Sequence, residues 1–356
     1  MSEAITTEDQ ITPNWLTTRL RENGHLQRGH VSRVSKECFT SHFSQICLLE
    51  LTYSSDAAPL LPLNMLLKAA LPGIEGSLNM GMIEVSAYVT IAEAMADPPL
   101  VLCFDAVYSA ESNRSHILIQ DLSPTHFQPE IPIPPSRRHC ELSVESLAQF
   151  HAFGWQNPGL GTTIGVLLDQ PALNEIVAQA QTGLAGIADY LGDRLSPNRR
   201  SIYDRAIGVM SEYWAHRLTS TEHNTLIHGD AHLWNFLHPK DADNDRAYLI
   251  DLGTTNRIRP PTNDLAYMMA LQWYPERRAL MERPLLRRYH DRLVSLGVKD
   301  YGWDDCLLDY RFSVISHLFT PIFQWAGKRV PATVWWHNLD RICQAYEDLH
   351  CGELMT

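Results

Sequence analysis

The sequence predicts an α+β protein in two parts, a small strand-rich part over residues 1–122 and a larger, mostly helical part over residues 123–356. Three observations carry this reading. At 356 residues the chain is longer than one average domain. From Val31 to about Ser123, β-prone apolar runs are separated by turn residues, with one helical stretch among them. Beyond a proline-rich connector, residues 129–135, apolar positions recur with helical period almost to the end.

SQICLLELTY, residues 44–53, is the first clear strand, and Ser54, Ser55 and Asp56 supply the turn after it. LNMLLKAALP, residues 63–72, is the next and is ended by Pro72-Gly73. PLVLCFDAVY and HILIQ, residues 99–108 and 116–120, add two more. Between them residues 82–95 read as a helix. Glu84, Tyr88, Ile91 and Met95 fall at i, i+4, i+7 and i+11 on one face, and Pro98-Pro99 forbids continuation. In the second part helices are expected at 143–155, 171–191, 198–216, 262–273, 284–296, 304–325 and 334–350. A short loop and hairpin lies among them, with AYLID, residues 247–251, as its second strand. The two parts join near residues 120–123.

Composition narrows the partners. A formal charge of −12 argues against nucleic acid, whose phosphates are bound through clustered lysine and arginine, and suits a neutral or cationic small substrate. The seven cysteines (38, 47, 103, 140, 306, 343 and 351) are scattered and contain no C-x-x-C, which fits reduced thiols in a cytoplasmic protein better than a disulfide framework or a zinc site. The N-terminus is polar and acidic, without the basic and apolar regions of a signal peptide. No apolar run approaches the ~18 residues that a membrane span needs, so no membrane is expected. No feature points to an oligomeric state.

Residues 226–237, LIHGDAHLWNFL, and 248–267, YLIDLGTTNRIRPPTNDLAY, carry the chemistry. They place Asp230 five residues before Asn235, and a second aspartate, Asp251, at the end of an apolar run. That order and spacing match the catalytic loop and metal-binding aspartate of a kinase-type phosphoryl transferase, H-R-D-x-x-x-x-N followed by D-F-G. One carboxylate must meet the acceptor hydroxyl, while an amide and a second carboxylate hold magnesium against the phosphates. Gly229 stands where protein kinases carry arginine, and His232 follows the aspartate. The resulting H-G-D-x-H-x-x-N resembles the aminoglycoside phosphotransferase and choline kinase group. Asp264-Leu265-Ala266-Tyr267 resembles that group's helix-opening D-L-A-Y, and Leu147-Ala148-Gln149-Phe150-His151-Ala152-Phe153 resembles the helix before its catalytic loop. The nearest branch is the ecdysteroid-kinase-like one, to which ILIQDLS, residues 117–123, is also similar. The resemblance runs from about residue 31 to 349. It implies a two-lobed protein-kinase-like fold with a nucleotide-binding N-lobe (1–122) and a C-lobe (123–356) holding the catalytic loop, metal ligands and acceptor pocket. It also implies ATP and Mg2+ as cofactors and a small-molecule hydroxyl as phosphate acceptor.

Each candidate residue has a plainer reading beside it. Asp230 is the expected catalytic base; the alternative is a cap on the following turn. Asn235 and Asp251 are the expected magnesium ligands, hard oxygen donors that share the shell with phosphates and water. The family's D-F-G or D-F-Q stands here as Asp251-Leu252-Gly253. His228, Asp230 and His232 alternate, so on a strand they would face one side and suit a zinc hydrolase; such a site needs further ligands at short spacing, and His223 and His238 form no recognised spacing. In the kinase reading His228 and His232 support the loop. Lys68, in the apolar run Met65-Leu66-Leu67-Lys68-Ala69, is expected to hold the α- and β-phosphates and to pair with Glu84; otherwise it is a solvent-facing lysine on an edge strand. Gln120, Asp121 and Leu122 would meet adenine through backbone groups, although relatives commonly carry glutamate at the first. The phosphate-covering loop, residues 34–41, contains no glycine, leaving Ser35, Lys36, Thr40 and Ser41 as donors or else a plain hairpin. Trp273, Tyr274, Trp303, Tyr310, Phe319, Trp325, Trp335 and Trp336 suit a packed core better than a cation cage. Asp304, Asp305 and Asp309 suit a helix start better than a cationic-substrate site. The acceptor could be a sterol, sugar, antibiotic, amino alcohol or specialised metabolite. The nearest alternative is an aminoglycoside or choline-type amino-alcohol kinase. Retention of Asp230, Asn235, Asp251 and Lys68 speaks against a silent nucleotide-binding protein.

Overall fold

The computed structural model describes residues 3–355 apart from 42, 58–60, 72–73, 75, 244 and 329. Its contacts form two compact units, residues 1–129 with 236–255, and 130–235 with 256–356. Each unit is discontinuous in sequence.

The first unit is built on a five-stranded sheet. Its strands are β1 (Val31–Thr40), β2 (Ser44–Tyr53), β3 (Asn64–Ala70), β4 (Cys103–Ser109) and β5 (Arg114–Gln120), in the order β1-β2-β3-β5-β4, with every neighbouring pair antiparallel. The middle position of β3 removes the edge-strand reading of Lys68. Pro72-Gly73, the expected end of this strand, lies outside the described residues. Helix α1 (Pro13–Glu22) was not foreseen from the sequence. Thr12 caps it by accepting from the Trp15 amide, Pro13 occupies the first turn, and Leu16 and Leu20 bury its apolar stripe in the sheet's core. Helix α2 (Ser77–Ser86) starts earlier than expected and continues as a π-helical turn, Ala87–Ala92. The expected face holds over that change, with Glu84, Tyr88 and Ile91 buried. A small sheet of β6 (His126–Phe127), β8 (Phe236–Pro239) and β9 (Tyr248–Leu249) completes the unit, the last being the core of the expected AYLID strand.

The second unit is helical: α3 (Arg137–Gln156), α4 (Gln170–Leu191), α5 (Pro197–Leu218), α6 (Thr262–Ala266), α7 (Pro275–Ser295), α8 (Trp303–His317), α9 (Thr320–Ala326) and α10 (Ala332–Asp348), with a two-stranded ribbon of β7 (Thr225–Ile227) and β10 (Arg257–Arg259). Three expected boundaries move. Helix α3 begins at Arg137 because Ser136 caps it, accepting from the His139 amide. Helix α7 begins at Pro275, so Pro284 lies inside it and starts nothing. The carbonyl that Pro284 leaves without its helical donor belongs to Leu280, an exposed residue on the outer side of the helix. The expected 304–325 helix breaks into α8 and α9, where Pro321 cannot donate to the preceding turn.

The expectation of reduced thiols fails at one pair. Cys38 and Cys47 lie directly opposite each other on β1 and β2 and form a disulfide. A search for C-x-x-C spacing does not detect two cysteines that pair through strand register. The other five are free thiols. Among the described residues, no helix is long and apolar enough to cross a membrane.

Candidate active site

In the first unit, β3, α2 and the chain after β9 bring three ionisable groups together. Lys68 Nζ lies 2.9 Å from Glu84 Oε1 and 2.7 Å from Asp251 Oδ1. Burial works against the ammonium, but the two carboxylates outweigh it and hold its pKa above the ordinary lysine value. Burial likewise lifts the Glu84 carboxyl, while Lys68 and the Leu252 amide pull it the other way. Asp251 adopts φ 61°, a left-handed conformation that aspartate tolerates better than most residues. A Cβ at Gly253 would stand 2.9 Å from Met80 Cβ, so glycine lets α2 approach this turn. The three groups share a cavity of about 200 Å³ with Ser41, Phe43 and Ser44.

The segment expected as a phosphate-covering loop is mostly strand: residues 34–40 lie in β1. Lys36 Nζ donates to the Glu8 carbonyl, and the Ser41 hydroxyl donates to the Ser44 carbonyl. These two side chains are thus engaged in holding the sheet and its turn. At the end of β5 the amides of Gln120 and Asp121 donate to Leu102 O and Asn64 O. Asp121 also accepts from the Ser123 amide and hydroxyl. Among the described residues the Leu122 amide has no such acceptor, which leaves it as the backbone donor of this segment.

The second unit carries the other group. After β7 the chain turns through His228-Gly229-Asp230, and Gly229 takes φ 83°, where a side chain would be strained. Asp264, the third residue of α6, is fully buried and accepts from the amides of His228 (2.7 Å) and Gly229 (2.9 Å) and from His151 Nε2 (3.0 Å). His151 Nδ1 in turn meets the Tyr289 hydroxyl at 2.6 Å. Burial opposes the charge on Asp264, yet His151, His228 and the Gly229 amide outweigh it and hold the carboxyl below its ordinary range. A buried carboxylate with three donors thus fixes the backbone that presents Asp230.

The Asp230 side chain does not cap the next turn; its backbone carbonyl closes that turn by accepting from the His232 amide. The carboxylate receives Asn235 Nδ2 at 3.2 Å and the Tyr267 hydroxyl. Burial, then Asp230, push the Tyr267 hydroxyl well above its ordinary pKa, so it donates. Asn235 Nδ2 also reaches Asp230 O at 2.9 Å, which turns the amide oxygen away as the atom able to meet a metal. His232 Nε2 lies 3.7 Å from Asp230 Oδ2, beside the carboxylate. The zinc reading requires a strand through 228–232, but β7 ends at Ile227 and a 3-10 turn follows at Leu233–Asn235. Among the described residues no group of three His, Cys, Asp or Glu side chains is arranged to hold a metal.

The expected residues therefore gather in two sets, Lys68 with Glu84 and Asp251, and Asp230 with Asn235, His228 and His232. Sequence reasoning left Asp264, His151 and Tyr267 without roles. Each stood inside a motif already noted, but only tertiary contacts reveal what it holds. Of the clustered aromatics, Trp273, Tyr310, Phe319 and Trp335 are core residues. Asp305 receives the Gly302 amide at the start of α8, and Asp309 pairs with Arg217 at 2.7 Å.

Residues 90–300 match the model of the ecdysteroid kinase-like family. Among solved structures the chain is similar to a Ralstonia eutropha JMP134 protein provisionally assigned as an aminoglycoside phosphotransferase, at 16% identity over 96% of each chain with a TM-score of 0.51. It is also similar to a point mutant of aminoglycoside 2′-phosphotransferase-IIIa in complex with GDP (12% identity, 96% and 98% of the chains, TM-score 0.49). A third is macrolide 2′-phosphotransferase of Brachybacterium faecium (12%, 92% and 97%, 0.49). The first of these likenesses shows a shared fold. No curated protein matches the chain.

Proposed function

This chain belongs to the ecdysteroid kinase-like family, and from that premise we propose that it transfers the γ-phosphoryl group of ATP to a hydroxyl group of a small molecule. The observation that carries the reading is Lys68, held by Glu84 and Asp251 at hydrogen-bond distance in a cavity of the first unit. Lys68 meets the α- and β-phosphates, Glu84 keeps it there, and Leu122 offers its amide to the adenine edge. Asp230 accepts the acceptor's proton as the new O–P bond forms and the bond to the ADP oxygen breaks. Tyr267 and Asn235 hold that carboxylate in place.

The residues fit magnesium by their chemistry: the Asn235 amide oxygen and the Asp251 carboxylate are hard donors. When bound, the ion neutralises charge on the phosphates. Lys68 alone does not balance Glu84 and Asp251, so the cluster has an excess of negative charge that suits a cation there. The reading is tested by nucleotide binding and ATP turnover with magnesium, with zinc and with chelator. Magnesium-dependent binding and turnover support it; turnover restored by zinc alone, or independent of metal, contradicts it. A screen with labelled ATP over hydroxyl metabolites then identifies the acceptor.

A further inference from the structure

A cavity of about 50 Å³ lies against the Asp230 loop in the second unit. It is lined by Leu233 and Trp234 of that loop, by Trp273 and Tyr274, by Arg277 from α7 and by Arg341 from α10. One water needs roughly 10–15 Å³ on this measure, so the space takes a group of three or four atoms, the size of a carboxylate.

Among the described residues neither of its two guanidiniums forms an ion pair with a carboxylate. Arg277 donates from one terminal nitrogen to Pro135 O at 2.7 Å and reaches Cys140 Sγ at 3.4 Å, and it lies over the Trp273 ring at 4.8 Å. Its Nε is buried and has no hydrogen-bond partner among the described residues. Arg341 is half-buried and makes no hydrogen bond or ion pair among the described residues. The acid beside it in sequence, Asp340, hydrogen-bonds Arg199 and acts on Arg341 only through space, against the larger cost of burial. The neighbouring Arg278 shows the contrast, since it is satisfied by Glu282 and Asp348. Acids are not scarce, for the chain has 41 against 29 lysines and arginines. A guanidinium taken partly out of water is costly unless an anion meets it. Two converging in one aromatic-walled space make a fork suited to a planar oxyanion.

We propose that the Arg277–Arg341 cavity is an anion-binding subsite for the acceptor, and that it takes the carboxylate of a hydroxy acid whose apolar body lies on the exposed Tyr274. The acceptor assignment rests on the phosphotransferase reading; the anion site does not.

Benzoate is the probe, with benzamide as its neutral counterpart and inorganic phosphate as a second oxyanion. Trp234 and Trp273 report through intrinsic fluorescence of the full chain. Benzoate should give a saturable change, at least tenfold weaker for benzamide and for Arg341→Ala. Arg341→Gln, which keeps the stem and a polar end, should lose as much, and Arg341→Lys should lose less. Melting curves show that each variant is folded. Benzamide binding as well as benzoate, or folded Arg341 variants binding as well as the parent, overturns the subsite. Phosphate outcompeting benzoate shifts the oxyanion from carboxylate to phosphate and overturns the hydroxy-acid assignment. In a second arm, hydroxymethylbenzoates should show a KM at least tenfold below hydroxymethylbenzamides, raised by Arg341→Ala. Equal KM values remove the acceptor assignment. Tight benzoate binding with no transfer to any alcohol removes the phosphotransferase reading and leaves the anion site standing.

Discussion

Lys68→Met removes the cation from a site built around it. In the structure the Glu84 side chain is 7% exposed and Asp251 is 44% exposed. Water can replace Lys68 at Asp251 but not at Glu84, so the cost falls on Glu84. Breaking a buried pair by deleting one partner costs roughly 3–5 kcal/mol. The Glu84 carboxyl, already raised by burial, rises further once Lys68 is gone. A carboxyl raised in the folded state leaves stability intact below its unfolded pKa and loses it as pH rises through the folded value. The Lys68→Met deficit should therefore be larger at pH 8 than at pH 5. Glu84→Gln in the Lys68→Met background should recover part of the loss, because a neutral amide is cheaper to bury than an unpaired carboxylate. Urea titrations followed by circular dichroism, on parent, both single variants and the double variant, give the cycle directly. A coupling of roughly 0.5–3 kcal/mol is expected for groups in contact. Losses that simply add, with no pH dependence, would refute the reasoning, since Glu84 would not then depend on Lys68.

Asp251→Ala should abolish magnesium-dependent nucleotide binding, read by calorimetry with and without the ion; unchanged metal dependence removes Asp251 as a ligand. Asp264→Asn sets an amide NH2 against backbone donors and should cost about 1–3 kcal/mol, with faster hydrogen exchange at the 228–230 amides. Protected amides there would show that Asp264 does not fix the loop. His317, pushed down to about 4 by burial, should weaken the fold as pH falls from 6.5 towards 4, because the unfolded chain takes the proton first. The loss across that window is roughly 3 kcal/mol at most, and His317→Gln should flatten it in acid melting curves. An unchanged slope in the variant places the acid sensitivity elsewhere.

Much of this architecture was legible because local signals and tertiary demands agree. The strand at Ser44–Tyr53 and the shared face of Glu84, Tyr88 and Ile91 follow from period alone. Helix α1 had its signals too, a Thr12-Pro13 start and Leu16 and Leu20 one turn apart, but it is short and lies in polar surroundings. Pro284 misled because proline more often opens a helix than interrupts one, and only the exposure of Leu280 shows why it is tolerated. The Asp230–Asn235 spacing is a local property of one loop and could be read directly. Asp264 holding that loop from 34 residues beyond Asp230, and His151 behind it, depend on packing, which no spacing encodes. The Cys38–Cys47 pair was hidden for the same reason, as strand register sets it.

The central claim is phosphoryl transfer with Asp230 as the base. It is tested most directly by 31P NMR on parent and Asp230→Asn protein, each with ATP, magnesium and an acceptor from the hydroxyl screen. The account expects a new phosphate monoester with ADP in equal amount from the parent, and formation slowed by roughly 10²–10⁴ in Asp230→Asn with nucleotide affinity retained. A monoester formed at near-parent rate by Asp230→Asn, or ATP consumed only to ADP and inorganic phosphate with every alcohol tried, would contradict it.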